Sequence, residues 1–338
     1  MASNILKLHI QTFKTSSPSS PVRQTKTHLP SLPFALNHHY HSHISSLPST
    51  LSCKLQVPAL SLQSSLSLST PPTTKEEAIL QAKTCLSTTL EKPLNNPKLA
   101  GKLKKLKQPR YRIEIPIIDD SPFSLSQLAL DVFKDLPVRR KGSSVKILIL
   151  WPNVALTEAA AKLFESHSLK QVEHVDLSSI SNENIRVLSS ADVAIFLAAE
   201  ESQLAVIRTV SDSFYPKPVV IFNPRWAFEE EDDFGDLTGF VGSFDVIYSF
   251  MGLEVKGILS KRKGVIFKCV RDGVLSGERW NVLVEEEGEL KVVSKFKVRP
   301  SIGEVETVLY NLMAINSPIT KSAKFLKDLV SNVTGKKR

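Results

Sequence analysis

The sequence predicts an α/β protein with a Rossmann-like, three-layer, mostly parallel sheet, an antiparallel extension and C-terminal helices. Two observations carry this prediction. Between residues 145 and 222, short apolar runs alternate with stretches of helical periodicity, which is typical of a parallel sheet covered on both faces. After Pro224, strand-like segments follow one another across Gly and charged turns without intervening helices, which indicates antiparallel pairing.

The first 75 residues have the composition of a chloroplast transit peptide. Glu76 is the first acidic residue of the chain, whereas six Lys or Arg precede it. The stretch is rich in Ser, Thr and Pro, so little of it can pack as a core, and it lacks the continuous apolar run of a secretory signal. We expect residues 1–72 to be a chloroplast transit peptide and disordered; a mitochondrial presequence and a disordered tail without a targeting role are the alternatives.

Most of the net positive charge of the chain lies in these first 75 residues. The whole chain carries 43 Lys and Arg against 34 Asp and Glu, and removing the six basic residues of the first 75 positions leaves 37 against 34. Binding to nucleic acid requires a strongly basic surface. The near balance of basic and acidic residues after position 75 therefore argues against a nucleic-acid-binding function. No run approaches the roughly 18–20 apolar residues that a membrane span needs, so we predict no transmembrane segment.

Residues 73–109 are predicted to form N-terminal helices and a basic linker. Thr74 with Glu77 has the spacing of a capping box, so a first helix should run from there to about Glu91. From Pro97 to Lys107, three leucines share one helical face and five lysines surround them: Lys98, Lys102, Lys104, Lys105 and Lys107. These lysines are the candidate membrane or partner surface, and a solvated helix packed on the domain remains open.

Residues 110–330 are predicted to form a single α/β domain, followed by a basic tail at 331–338. Arg110, Arg112 and Glu114 alternate with apolar residues, which predicts a half-buried strand before a helix at 123–136. The alternating region then gives strands at 145–151, 172–177, 192–199 and 218–222, with helices at 157–167, 184–188 and 200–214. Later strands are predicted at 245–250, 264–270, 279–284 and 290–298, with helices opening at Ser301 and Ser317.

No catalytic motif accompanies this layout. Neither G-x-G-x-x-G after a strand nor G-x-x-x-x-G-K-[ST] occurs in the chain, which disfavours dinucleotide and P-loop chemistry. His167 and His174 are the histidines left after the leader, and neither belongs to a nucleophile elbow. We therefore predict no catalytic residues and no cofactor.

The sequence also indicates no metal site or disulfide. The three cysteines are few and far apart, so structural thiols are expected. An acidic run could supply oxygen ligands but matches no EF-hand loop; it is interpreted as a solvated loop or a docking strip, and comprises Glu229, Glu230, Glu231, Asp232, Asp233 and Asp236.

Ligands of open α/β sheets bind beyond the carboxyl ends of the strands. The residues predicted at those ends are Asn153, Glu200, Asn223, Arg225 and Trp226. Arg225 could bind a carboxylate or phosphate, Trp226 could stack on a ring and Asn223 could direct an amide. In the alternative interpretation, Asn223 forms part of a turn and Trp226 covers the core.

Several short segments, taken in order, resemble a known family. They are residues 112–116, 191–194, 219–224, 279–282 and 299–305. Over about residues 73–330 the chain resembles the plastid and cyanobacterial family defined by the domain of unknown function 1995. That family includes the low-photosystem-II-accumulation assembly factors and a domain appended to some chloroplast adenylate kinases. Kinase activity is not expected here, because the chain lacks the glycine-rich phosphate loop.

The resemblance implies a protein of the chloroplast stroma and of the stromal face of the thylakoid membrane. It implies a non-enzymatic role in photosystem II assembly, with photosystem II core subunits or their assembly machinery as partners. The alternative, which follows from the predicted sheet, is a small-ligand or nucleotide-binding enzyme with its crevice at the carboxyl ends of the parallel strands.

Overall fold

A computed structural model describes residues 11–13, 70–95, 107–115, 119, 121–180, 188, 190–226, 231–256, 261–275 and 277–315. In chain order the elements are β1 (Gln11–Phe13), α1 (Lys75–Asn95), β2 (Arg110–Glu114), α2 (Pro122–Phe133), β3 (Arg139–Arg140), β4 (Ser143–Ser144), β5 (Ile147–Trp151), α3 (Val154–Ser166), β6 (Val172–Asp176), β7 (Val193–Leu197), α4 (Leu204–Phe214), β8 (Val219–Phe222), α5 (Thr238–Val241), β9 (Asp245–Lys256), β10 (Lys261–Cys269), β11 (Trp280–Glu286), β12 (Glu289–Phe296) and α6 (Ile302–Ile315). Short 3-10 turns occur at Leu177–Ser179, Glu201–Gln203 and Glu231–Leu237.

The main sheet has the strand order β12-β11-β10-β9-β2-β8-β7-β5-β6. Neighbouring strands from β9 to β6 are parallel, whereas β10, β11 and β12 add an antiparallel extension. The predicted Rossmann-like class is therefore confirmed. Within the predicted leader, β1 pairs in parallel with residues 253–255 of β9.

Apolar side chains cover both faces of the parallel region. On β5, Ile147, Ile149 and Trp151 join one cluster, and Leu148 and Leu150 join another. We call the face that carries the first cluster, together with α1, α2 and α3, the first face; α4 and α5 cover the second face. A third cluster, under α6, covers the antiparallel strands on the side opposite α1. The result is a three-layer arrangement with a continuous sheet at its centre.

Local capping explains where several helices begin. Thr74 Oγ1 accepts a hydrogen bond from Glu77 N at 3.1 Å, but the Glu77 carboxylate accepts from Thr73 N at 2.8 Å rather than from Thr74. The predicted box at α6 forms as expected, since Ser301 and Glu304 each bind the other's backbone N–H. No helix in the described part of the chain combines the length and apolarity needed to span a membrane.

The strand β2 departs from its prediction. Its charged face was expected to meet solvent, yet Arg112 and Glu114 are 3% and 2% exposed. The parallel neighbours β8 and β9 pair with both edges of the strand, which places β2 in the interior of a parallel sheet whose two faces are both covered. Burying these charges is possible because Glu114 pairs with Arg112 and also with Arg299.

Candidate functional site

At two positions on the carboxyl edge of the sheet, the helices that follow neighbouring strands lie on opposite faces. We name each position by its two strands, the β5/β7 point and the β2/β8 point. β5 leads into α3 on the first face, whereas β7 leads into α4 on the second. The same reversal separates β2, followed by α2, from β8, followed by α5. Such points are where open α/β sheets bind ligands. All five predicted crevice residues follow these strands, namely Asn153, Glu200, Asn223, Arg225 and Trp226.

At the β5/β7 point, side chains bind the backbone that surrounds them. Asn153 Oδ1 accepts from Leu156 N at 3.0 Å and thereby caps α3. Gln203 Nε2 donates to Pro152 O at 2.8 Å, while its Oε1 accepts from Glu200 N at 3.1 Å. Gln203 therefore links the loop after β5 to the loop after β7, which sequence reasoning did not foresee.

At the β2/β8 point, the Asn223 side chain likewise binds backbone groups. Its Oδ1 accepts from Ile115 N at 2.7 Å, and its Nδ2 donates to Ile115 O at 3.0 Å. Its own backbone N–H donates to Ile113 O at 2.8 Å. The residue has a φ of 48°, a left-handed conformation that Asn tolerates better than most residues. Both polar atoms of the amide are thus used to extend the β2/β8 pairing beyond β8.

Trp226 lies in the core. It is 1% exposed and meets Phe234 edge-on, with ring centroids 6.3 Å apart. Its Nε1 has no hydrogen-bond partner among the described residues. The indole face is covered by the second-face cluster and is not presented to solvent, as the alternative interpretation of the sequence expected.

Arg225 and Glu200 keep exposed side chains at this edge. Arg225 Nη1 lies 3.6 Å from Glu200 Oε1, and the two side chains are 39% and 46% exposed. Exposed ion pairs contribute between about 0 and 1 kcal/mol, so an anionic ligand could displace Glu200 at little cost. Asn153 is exposed as well, but its side chain is used to cap α3.

The predicted basic surface lies almost entirely outside the described residues. Lys107 is described and is exposed. The other members, Lys98, Lys102, Lys104 and Lys105, lie outside the described part of the chain. The surface therefore stays a prediction.

A buried charge cluster lies on the second face beside β2 and β9. Glu114 Oε1 accepts from Arg299 Nη1 at 2.8 Å, and its Oε2 accepts from Ser249 Oγ at 2.6 Å. Arg112 Nε lies 2.7 Å from Glu114 Oε1, an ion-pair contact rather than a well-aligned hydrogen bond. The only hint of this cluster in the sequence is the opposite charge of two residues on one strand face.

The cluster keeps Glu114 ionised. Burial by itself would raise the pKa of this carboxyl, but Arg112, Arg299 and the Ser249 hydroxyl outweigh burial and lower the pKa below its ordinary value. A carboxylate held in this state has no proton to donate near neutral pH. The geometry therefore points to a structural ion network and not to a general acid.

Arg299 and one further cation, Lys268, extend this network towards the antiparallel strands. The Lys268 Nζ and the Arg299 Cζ lie 5.2 Å and 5.3 Å from the Trp280 ring centroid. Burial lowers the pKa of Lys268, whereas the carboxylates of Asp245 and Glu278 oppose that shift. These contacts lie within the antiparallel extension, and the Arg299–Glu114 pair joins them to β2 in the parallel part of the sheet.

An apolar groove lies between α2 and α3. It encloses about 610 Å³ and is lined by Ser121, Pro122, Phe123, Ser126, Ala159, Lys162, Leu163 and Ser166. Phe123 is 71% exposed there, although it is among the largest apolar side chains of the chain. The exposure of Phe123 could have been predicted from the sequence. Leu125, Leu128 and Val132 define the core-facing side of α2, and helical spacing places Phe123 away from that side.

No group of three or more His, Cys, Asp or Glu with metal-binding geometry occurs among the described residues. The side chains at 229–233 of the acidic run lie outside them, whereas Asp236 is described and exposed.

Comparison with solved structures finds weak likenesses. The flagellar accessory protein FlaH from Methanocaldococcus jannaschii is 10% identical, covering 55% of this chain and 90% of FlaH, with a TM-score of 0.26. Uncharacterized protein PH0321 from Pyrococcus horikoshii, solved with an unknown peptide, is 10% identical over 59% of this chain and 95% of that chain, with a TM-score of 0.28. These scores are too low to support an inference about this chain.

A comparison with curated proteins found no match. The family described as "Domain of unknown function (DUF1995)" matches residues 72–307, which is well over half of the chain and spans α1 to the first turns of α6. The match begins where the predicted leader ends and includes every strand of the main sheet except β1. The chain therefore belongs to the family defined by the domain of unknown function 1995.

Proposed function

We propose that the mature chain is a non-enzymatic chloroplast protein that assists photosystem II assembly by binding a chlorophyll-binding core subunit or its assembly machinery. It acts in the stroma and at the stromal face of the thylakoid. The acid-free, Ser- and Pro-rich leader supports the location. The resemblance of the sequence to the assembly factors of its family supports the process.

The observation that carries a protein-binding role is the groove between α2 and α3. Phe123 contributes little to the core at 71% exposure, and the groove beside it exposes Pro122 and Leu163 as well. An exposed aromatic side chain beside an apolar groove can anchor an apolar segment of a partner. Photosystem II core subunits are largely apolar, so we assign the groove to an apolar segment of such a client. Lys162 at the groove can meet an acidic residue of that segment.

The way in which the side chains at the carboxyl edge of the sheet are used supports a protein-binding role rather than a catalytic one. Asn153, Gln203 and Asn223 bind the backbone, and Trp226 is in the core. Side chains used in this way are not available to act on a substrate without rearrangement.

The experiment compares complexes recovered with tagged protein from stroma and washed thylakoids. Plants that lack the protein receive the wild type, Phe123→Ser, or the control Val298→Ser, which alters an apolar residue that is 73% exposed outside the groove. We expect photosystem II core subunits to copurify with the wild type and with Val298→Ser, and recovery to fall about tenfold or more with Phe123→Ser, as for a central apolar anchor.

Thermal unfolding of each variant accompanies this comparison, because both side chains are exposed and neither change should lower Tm by more than a few degrees. Equal recovery with all three proteins would remove the groove from the proposal. Normal photosystem II accumulation in plants without the protein would contradict the assembly role itself.

A second candidate is a small-ligand or nucleotide-binding enzyme at the β5/β7 point, favoured by the exposed Arg225 beside Glu200. Titration calorimetry with ATP, and with inorganic phosphate as the minimal anion, tests it. Binding that disappears in Arg225→Ala but persists in Arg208→Ala, an exposed arginine on α4, would favour this candidate.

A further inference from the structure

Two cysteines that lie far apart in sequence meet in the core. Cys85 is on α1 and Cys269 is the last residue of β10, 184 positions later, and their Sγ atoms are 3.4 Å apart. Both are free thiols and both are buried, at 0% and 6% exposure. The spacing in sequence indicated isolated structural thiols, so this pairing depends on the tertiary structure.

Other contacts hold the two elements in this register. Thr88 Oγ1, one turn beyond Cys85, donates to Arg271 O at 2.9 Å. The turn that follows lies so close to α1 that a Cβ at Gly273 would be 2.7 Å from Thr88 O, and Gly273 has a φ of 63°. The backbones of α1 and of the segment after β10 are therefore held together directly beyond the thiol pair, which keeps the sulfur atoms as neighbours.

The surroundings give the two thiols different roles. The hydrogen bond with Cys85 lowers the pKa of Cys269 against the opposing effect of burial, and Arg271 lowers it further. The hydrogen bond with Cys269 and burial both raise the pKa of Cys85. The thiolate is the nucleophilic form of cysteine, and Cys269 is also the more exposed of the two. Because Cys269 is the more exposed thiol and interacts with the positive charge of Arg271, it is the attacking thiol and Cys85 the resolving thiol.

We propose that Cys85 and Cys269 form a reversible disulfide when a small peroxide such as hydrogen peroxide enters the protein. The Cys269 thiolate attacks one peroxide oxygen, so an S–O bond forms, the O–O bond breaks, and hydroxide leaves and is protonated to water. The Cys85 sulfur then attacks the Cys269 sulfur, so the S–S bond forms, the S–O bond breaks, and a second water leaves with the Cys85 proton. The two thiols lose two electrons, which the peroxide gains.

The disulfide would tie α1 to the antiparallel extension. A bond needs the sulfur atoms at about 2.05 Å, so they must approach by a little more than 1 Å, which side-chain rotation can supply. The closed loop is long, and cross-linking a long loop restricts the unfolded chain strongly. Oxidation is therefore expected to strengthen the attachment of α1, and a dithiol reductant reverses it.

The test uses the full chain with Cys53→Ser, so that Cys85 and Cys269 are its two thiols. The protein is treated with hydrogen peroxide, and a parallel sample of glutathione is treated in the same way as an oxidation control. The protein is then alkylated, digested without reduction and analysed by mass spectrometry. We expect a linked Cys85–Cys269 peptide about 2 Da lighter than the sum of its reduced parts, which dithiothreitol reverses. Tm should rise by about 5–15 °C on oxidation, as expected for a disulfide in a domain of this size.

Adding Cys85→Ala or Cys269→Ala to this chain should abolish both the linked peptide and the rise in Tm. The proposal is overturned if both thiols stay open to alkylation after denaturation while glutathione is oxidised. It is equally overturned if Cys269 becomes a sulfinic acid without linkage, or if the linked peptides join different molecules. Should an alanine variant fail to fold, the peptide map of the Cys53→Ser chain still decides the question.

Discussion

His174 is held neutral by its surroundings. Trp151 Nε1 donates to its Nδ1 at 3.0 Å, which places the proton of the neutral ring on Nε2. The Phe164 ring lies edge-on at 4.5 Å, and Nε2 is buried without a hydrogen-bond partner among the described residues. Burial lowers the pKa of His174 from 6.5 to about 4.

This shift predicts a loss of stability in mild acid. Because the folded pKa lies below the unfolded one, the unfolded chain takes up a proton first as the pH falls, so stability is lost from about pH 6.5 down to about pH 4. One pKa unit is about 1.4 kcal/mol, so we expect this group to remove about 1 kcal/mol between pH 6.5 and 5.5. Urea unfolding across this range should show a smaller slope with pH for His174→Gln than for the wild type.

The control is His167→Gln, at the exposed end of α3, which tests whether loss of any histidine changes the slope. Parallel stability curves for the wild type and His174→Gln would show that burial does not suppress protonation of this ring.

Single residues also show where sequence patterns mislead. The alternation along β2 correctly divided Tyr111, Ile113 and Ile115 from Arg112 and Glu114, but it could not show that the charged face is buried. Arg299, which compensates Glu114, lies 185 positions later. A partner at that distance is invisible to any local pattern.

At the scale of elements, Asn223 connects β2 and β8 beyond their regular pairing. Asn223→Ala removes two side-chain hydrogen bonds and places Ala at a φ of 48°. The left-handed conformation costs about 1–2 kcal/mol, and unpaired buried backbone groups of Ile115 add about as much again. We therefore expect a loss of about 2–4 kcal/mol in the free energy of unfolding, measured by urea denaturation.

Asn223→Gly separates the two contributions, since glycine adopts this conformation without strain but restores no hydrogen bond. It should lose less than Asn223→Ala, by about 1 kcal/mol. If the two variants are equally stable, the conformational part of the argument is wrong. If neither loses stability, the side-chain bonds do not support the β2/β8 junction.

The elements themselves were largely readable from the sequence. The strands predicted at 145–151, 192–199 and 218–222 form as β5, β7 and β8 with slightly shorter bounds. Helix α3 begins earlier than expected because Asn153 caps it. The hairpin of β3 and β4 was missed, because its strands are two residues each and its turn relies on positive φ at Lys141 and Gly142.

At the scale of the whole molecule, α1 is part of the main core although it precedes the predicted α/β domain. Leu86 on α1 is fully buried in the cluster that covers the first face, whereas Leu80 on the same helix is 47% exposed. Leu86→Ala should therefore lower the free energy of unfolding by about 2–5 kcal/mol. Leu80→Ala, the matched control, should lower it by less than about 1 kcal/mol.

Circular dichroism and Trp fluorescence during urea unfolding should give coincident transitions for both variants, because the tryptophans and α1 belong to one folded unit. Equal, small losses for the two variants would mean that α1 is only loosely attached.

The sequence by itself determined the class of fold, the order of its main elements and the absence of acidic residues from its first 75 positions, because periodicity and composition are local properties. It also placed the five crevice residues at strand ends. Only the tertiary structure decided how those side chains are used, that Arg299 neutralises Glu114, and that Cys85 meets Cys269. The contacts of Asn223 with Ile115, of Arg299 with Glu114 and of Cys85 with Cys269 join residues more than 100 positions apart, so they form when the sheet is assembled and are absent from any local pattern.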